Sequence, residues 1–300
     1  MLDISVIILT YNEELHIRRC LDHLDGLVKA VYLIDCYSTD RTLDIAREYP
    51  FVQVLQNKWV NYATQFNWAL THAPIQTKWV LRLDADEYLT EELKEELKAK
   101  LPSLSSDYTG VIFPLRRVFL GRTIRRGMTV VKLLRLFQYG KAQSEVRLMD
   151  EHIQLLEGQP VEFQHEFADD NLNNLSWWTQ KHVGYAIREA VDLLDMEFNL
   201  TGSAVEDKNR VISEQAKSKR MKKHKYAQQP LFWRSFAYFC YRYFFKLGFL
   251  EGKEGFLWHF LQGWWYRTLV DAKVFEIKKA CGNDKEKIRR HLKEHYQIEI

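Results

Sequence analysis

Ile4-Ser5-Val6-Ile7-Ile8-Leu9 runs straight into Thr10-Tyr11-Asn12-Glu13, and the repetition of that join along the chain decides the fold. The first six residues are mostly β-branched and do not alternate with charges, the mark of a strand buried on both faces. Residues 13–24 then set Leu15, Ile17, Leu21 and Leu24 at helical spacing. The pair recurs outward. Residues 30–35 (AVYLID) make a second buried strand, and Ser38-Thr39-Asp40 stands where it caps a helix running to Glu48. Residues 51–55 (FVQVL) and a helix over 63–73 follow. Residues 79–83 (WVLRL) come next, with Thr90 capping a charged helix to about Lys100. Strand and helix alternate four times in a hundred residues, which predicts a parallel, doubly wound α/β sheet.

Beyond that the pattern changes. Residues 111–148 break into shorter strand-like pieces around Gly121, Gly127 and Gly140. Residues 174–200 read as helix, 208–225 are polar and basic, and Pro230 opens a strongly aromatic region closed by a charged helix over 284–296. A soft boundary near 205 divides a domain of residues 1–205 from a basic, aromatic helical region, 206–300. At 300 residues with 46% apolar and 28% charged side chains, the chain has ample core for this plan. Its net charge of +3 names no partner.

Four scattered cysteines (Cys20, Cys36, Cys240, Cys281) rule out a disulfide scaffold by length and a zinc site by spacing, and suit reduced thiols in the cytoplasm. Asp3 stands where a signal peptide needs a basic residue. No run of 18 uncharged apolar residues predicts a spanning helix.

The sharpest chemical feature is Asp84-Ala85-Asp86, directly after the WVLRL strand. Residues two apart in extended chain point the same way, so both carboxylates face one site. They stand at the carboxyl end of a parallel strand, where α/β sheets bind ligands. Hard oxygens suit Mg²⁺ or Mn²⁺, which take one or two protein carboxylates alongside phosphate oxygens. Alone, the tripeptide is a solvated turn as readily as a site. It does not stand alone: Thr10-Tyr11-Asn12-Glu13 and Asp35-Cys36-Tyr37-Ser38-Thr39-Asp40 also close buried strands. Three polar clusters on one sheet edge make a ligand crevice.

The series TYNEE, DxxSTDRT and DAD resembles the inverting family-2 glycosyltransferases of the GT-A fold. The likeness continues through FLGRTIRRG, LLRLFQYGKA, MDEH, KHVGYA and GFLEGKEGFLWHFLQGWWYR, in the manner of the bacterial enzymes that build lipopolysaccharide core and surface polysaccharide. It implies that Thr10, Tyr11, Asn12 and Glu13, with Asp35, hold the nucleotide-sugar donor. Asp84 then lies near ribose and metal, and Asp86 binds the metal bridging the diphosphate. Glu151 matches the presumed catalytic base of a Val-His-Glu motif; here the motif reads Met149-Asp150-Glu151-His152, which leaves Asp150 a rival. His165 matches a downstream histidine that completes the metal site or touches the diphosphate, with a structural role equally open. Arg116, Arg117, Arg122, Arg125 and Arg126 read as a solvated face.

The chemistry asks for the same set. A departing diphosphate gathers negative charge that a divalent cation offsets, and the acceptor hydroxyl must lose its proton to a base. A sugar nucleotidyltransferase also combines an α/β sheet with metal-binding carboxylates, but usually carries a glycine-rich loop where this chain has Leu9-Thr10-Tyr11-Asn12. A non-catalytic membrane-surface protein on the same fold is the other alternative.

Residues 217–225 (KSKRMKKHK) carry six Lys or Arg, and residues 231–266 hold 16 of the chain's 41 aromatics. No nucleic-acid motif accompanies the basic run. If 231–247 is helical, Arg234, Arg242 and Lys246 share one face opposite the aromatics, as in a helix lying in a membrane interface. The expectation is peripheral docking on the cytoplasmic leaflet of the inner membrane, near a lipid-linked or polysaccharide acceptor.

Overall fold

A computed structural model describes residues 1–145, 152–201, 221 and 225–300. These residues group into two compact units. One holds Met1–Arg125 and Val130–Leu172; the other holds Arg126–Thr129 and the described residues from Asn173 onward. The boundary expected near 205 falls outside the described residues.

The strands of the first unit are β1 Leu2–Thr10, β2 Val28–Asp35, β3 Val52–Gln56, β4 Trp79–Asp84, β5 Glu87–Leu89, β6 Tyr108–Phe119, β7 Arg122–Thr123, β8 Lys132–Gln138, β9 Ala142–Ser144, β10 Ile153–Leu155, β11 Gln159–Glu162 and β12 Phe167–Asp170. The main sheet runs β3-β2-β1-β4-β8-β6-β12-β5. The first four strands are parallel, as the repeated join predicts. β8 then enters antiparallel between β4 and β6, and β12 joins β6 in parallel and β5 in antiparallel sense. The mixed half curls the sheet so that β5, directly after the DAD turn, pairs with β12.

β1 is central, and Ile4, Val6, Ile7 and Ile8 are wholly buried. One face packs on Ile17, Cys20 and Leu21 of α1 (Ile17–Asp22) and on Ile45 and Ala46 of α2 (Thr42–Arg47). The other packs on Phe66 and Ala69 of α3 (Tyr62–His72). Thr90 caps α4 (Glu91–Lys100), its hydroxyl accepting from the Leu93 amide. α1 is shorter than the apolar spacing from residue 13 suggests, because residues 12–14 are drawn into loop hydrogen bonds. α2 is not capped by Ser38 or Thr39; Asp40 Oδ1 accepts from the Thr42 amide at 3.0 Å instead.

The second unit is helical: α5 Leu175–Phe198, α6 Trp233–Cys240, α7 Gly252–Trp258, α8 Tyr266–Cys281 and α9 Lys285–Tyr296. Ala186, Ala190 and Leu194 of α5 pack on Val270, Val274 and Ile277 of α8, with Ile288 and Leu292 of α9 closing the core. π-helical turns occupy Tyr241–Phe245 and His259–Trp265. Residues 231–247 therefore form no single regular helix, and of the basic face expected there only Lys246 is exposed. Arg234 is buried against Asp271 (Nη2–Oδ1 2.6 Å), and Arg242 is buried, donating to the Gly127 carbonyl. The arginines point in and many of the aromatics point out. Among the described residues, no helix is long and apolar enough to cross a membrane.

Candidate active site

The carboxyl ends of β1 and β2 are laced into one rim. Asn12, in the left-handed region at φ +56°, donates its amide to Ser38 Oγ (2.9 Å) and accepts the Thr39 amide on Oδ1 (2.8 Å). The Glu14 amide donates to Asp40 Oδ2 (3.0 Å), and Arg41 returns a bond to Glu14 Oε2 (3.1 Å). Asp35 is fully buried beneath, accepting from the Ser38 amide and hydroxyl, Thr10 Oγ1 and Gln56 Nε2. Its oxygens are spent on the turn, so its geometry is that of a scaffold. Thr10 is likewise buried. Tyr11 and Tyr37 instead stand in solvent, 60% and 56% exposed, where the rim offers ring faces.

Asp84 ends β4 with 39% of its side chain exposed. A buried ion pair supports it: Glu87 Oε2 accepts the Asp84 amide (2.9 Å), and Arg135 of β8 donates to Glu87 Oε1 (2.5 Å). Arg135 also lies 3.7 Å and Arg82 3.9 Å from the Asp84 carboxylate. Burial pushes the Glu87 carboxyl well above the usual range against the pull of Arg135, and Asp84 and Asp169 add to the rise. Asp169, next to Glu87 across the β5–β12 ladder, pairs with Arg117. Burial raises its carboxyl to about 6 against Arg117, with Asp86 and Asp84 adding to the rise. Carboxylates at this edge thus repel one another, as expected where a cation is to be held.

Asp86 is fixed from the other side. Its Oδ2 accepts from Asn171 Nδ2 (2.9 Å), and its carbonyl accepts the Asp170 amide (3.1 Å). Arg19 bridges to Asp170 Oδ2 at 2.7 Å. His16 Nε2 accepts the Leu172 amide (2.9 Å), so the ring proton sits on Nδ1 and is given to Glu13 Oε2 (2.6 Å). A continuous path therefore runs from Glu13 to the segment that holds Asp86.

Residues 5–153 match the family described as glycosyl transferase family 2. The chain carries a family-2 glycosyltransferase domain. An uncharacterized glycosyltransferase of Rickettsia typhi is 34% identical over 107 residues, 36% of either chain. The lipopolysaccharide core biosynthesis glycosyltransferase LpsC of Rhizobium meliloti is 30% identical over 114 residues, covering 36% of this chain and 40% of LpsC. The matched stretches span little more than a third of these relatives' length. The solved mannosyltransferase PcManGT of Pyrobaculum calidifontis superposes at TM-score 0.50 over 91% of this chain and 87% of its own, at 14% identity. That likeness is one of fold: the glycosyltransferase domain is a GT-A α/β domain, accompanied in this chain by an aromatic-rich helical region.

Within the transferase domain, His165 is engaged away from the DAD turn. Its Nδ1 bonds Glu96 Oε2 (2.9 Å), and it lines a cavity of about 700 Å³ with Thr90, Arg116 and Glu166. Arg116 and Arg117 are neighbours on β6 and point to opposite faces, so this cavity and the Asp169 cluster are separated by the sheet. Burial opposes the charge on Glu96, but Lys100, the amides of His165 and Gln164 and the His165 ring outweigh it and hold the carboxyl down at about 2. Among the described residues, no three His, Cys, Asp or Glu side chains gather as a metal cage. Glu151 and Asp150 lie outside the described residues. The flanking β9 and β10 pair, and Glu145 donates its amide to the His152 carbonyl (2.9 Å).

The donor set still suits a divalent cation. Asp84 and Asp86 offer hard oxygens at the solvent edge, and Mg²⁺ or Mn²⁺ needs only one or two such ligands with phosphate and water. Sequence reasoning missed Glu87, Arg135, Arg19, Asp169 and Asn171, the groups that hold this pair. Its solvated-face reading also misses Arg117, which is ion-paired to Asp169 and less than a third exposed.

Proposed function

We propose that the enzyme transfers a hexose from a nucleotide diphosphate-sugar, most simply a UDP-sugar, to a lipid-linked saccharide by one displacement that inverts the anomeric carbon. The half-exposed Asp84, supported at the carboxyl end of β4 by the buried Arg135–Glu87 pair, with Asp86 held two residues on by Asn171, carries the reading. PcManGT, of the same fold, is solved with GDP-Man and Mn²⁺, which supports this class of donor.

Tyr11, Asn12 and Glu13, on the rim with Thr10 and Asp35 beneath, receive base and ribose. Asp84 and Asp86 hold a divalent cation, whose contribution when bound is to offset charge on the leaving diphosphate. Glu151, with Asp150 the competing carboxylate, takes the proton of the attacking hydroxyl. Residues 1–205 serve as the catalytic domain and 206–300 as the region that docks on the cytoplasmic leaflet, drawn there by residues 217–225 at about 1 kcal/mol per basic residue near anionic lipid.

The test is a panel of nucleotide-sugars with and without Mn²⁺, read by thermal melting and by sugar release. One donor should raise the melting temperature of the wild type in a metal-dependent way, and Asp86→Asn should lose that rise while melting normally without ligand. Full activity in EDTA removes the metal from the mechanism.

A further inference from the structure

Residues 241–256 carry an exposed apolar surface that the catalytic reading does not use. Phe245 is 79% exposed, and Phe244, Leu247, Phe249, Leu250 and Phe256 are each more than 40% exposed. Exposed apolar area of this density, on one short segment, marks a docking surface.

The charges in the segment are sorted. Lys246 and Lys253 are exposed, whereas Glu251 is buried, accepting the Arg126 amide at 2.7 Å, and Glu254 is half-buried. Between 241 and 256 the solvent therefore meets apolar side chains and ammonium groups but no fully exposed carboxylate. That combination complements an anionic lipid interface, where rings enter the acyl boundary and lysines reach the headgroups.

The segment is also braced. Leu247 holds φ +58°, a conformation that costs a bulky residue about 1 kcal/mol or more, and which here keeps its side chain in solvent. The Gly127 amide donates to the Lys246 carbonyl at 3.0 Å, and the buried Arg242 returns a bond to the Gly127 carbonyl at 3.2 Å. Tyr243 sits beneath, its ring 5.2 to 6.3 Å from those of Phe239, Phe244, Phe249, Phe256 and His259. Rings on a rigid base lose little freedom on insertion, which suits a preformed wedge.

We propose that residues 241–256 are a lipid-inserting wedge that seats this unit on an anionic bilayer. The inference rests on the reading of the enzyme as membrane-docked, and makes the wedge its apolar anchor. Trp264, further along the aromatic region, is packed among Phe236, Phe239 and Phe260.

The test uses the full chain with vesicles of phosphatidylcholine and 30% phosphatidylglycerol, sedimented at low and high salt. Wild type should bind at both, and Phe245→Ser with Leu250→Ser should lower binding at high salt by roughly 100-fold or more, the scale of losing two buried apolar side chains. Phe245→Trp should be quenched by brominated lipid, a readout independent of the double variant's folding. Wild type that binds while the double variant binds equally, or while the Phe245→Trp signal ignores brominated lipid, overturns the wedge and leaves membrane docking standing. Wild type that ignores vesicles at every salt overturns both, and a concentration-dependent dimer lost in the double variant assigns the surface to a second copy.

Discussion

Arg135→Leu tests whether the buried pair beneath Asp84 supports the site. Arg135 and Glu87 are 9% and 3% exposed at their side chains and 2.5 Å apart. Deleting the guanidinium leaves Glu87 facing Asp84 and Asp169 with its nearest counter-charge gone. Removing one partner of a buried pair costs about 3–5 kcal/mol, and at roughly 2–4 °C per kcal/mol for a unit of this size the melting temperature should fall by about 10 °C. Glu87→Gln in the same chain removes the stranded charge but keeps an oxygen for the Asp84 amide. The double variant should therefore recover more than half of the loss, a coupling that distant sites do not show. Donor affinity in Mn²⁺, measured by calorimetry, should weaken in the single variant because Asp84 loses a group 3.7 Å from its carboxylate. An Arg135→Leu protein that melts with wild type, or a double variant that melts below the single one, refutes the role given to this pair.

Glu151→Gln should lower kcat by about 10² with nucleotide affinity nearly unchanged, as loss of a general base does; if Asp150→Asn does so instead, the base is Asp150. Asn171→Ala should raise the metal concentration needed for half-maximal activity several-fold, because Asp86 Oδ2 loses its donor. Among the described residues, neither ring nitrogen of the buried His259 is bonded, and burial, with Arg242 adding, lowers its pKa to about 4. A depressed histidine adds stability that is full above about 6.5 and drains as pH falls towards 4, here by about 3 kcal/mol in all. Calorimetric melts of the wild type should decline over that range, and those of His259→Leu should decline less. Gly127→Ala should destabilise the same unit by about 2 kcal/mol or more, since φ is +76° and a Cβ would stand 2.1 Å from His259 Cε1; a normal melt would show that the loop yields.

The parallel half of the sheet was legible because strands buried on both faces must be written in apolar residues. β1, β2 and β4 therefore stand out in isolation, and the DAD turn follows from where β4 stops. The mixed half was not. Arg135 matters only once β8 lies antiparallel beside β4, a pairing across more than fifty residues that no local pattern contains. A signal did exist: Arg82 and Arg135 interrupt the apolar runs WVLRL and LLRLF, and a buried charge requires a partner. Asp169, Asp170 and Asn171 likewise stand as FADDN at a strand end. The basic face read from 231–247 failed for a related reason. The helical wheel shows which residues share a side, but the location of Asp271 decides which side is buried.

On the function proposed above, the path from Glu13 through His16 to residues 170–172 and Asp86 would make loading of the site cooperative. A donor that steadies Glu13 and a cation that steadies Asp86 would act on the same short segment. Whatever factor the cation adds to donor affinity, the donor must add to cation affinity, because the coupling free energy belongs to the pair. The enzyme would then hold its cation weakly between turnovers and tightly within them, with its metal requirement set by how much nucleotide-sugar is present.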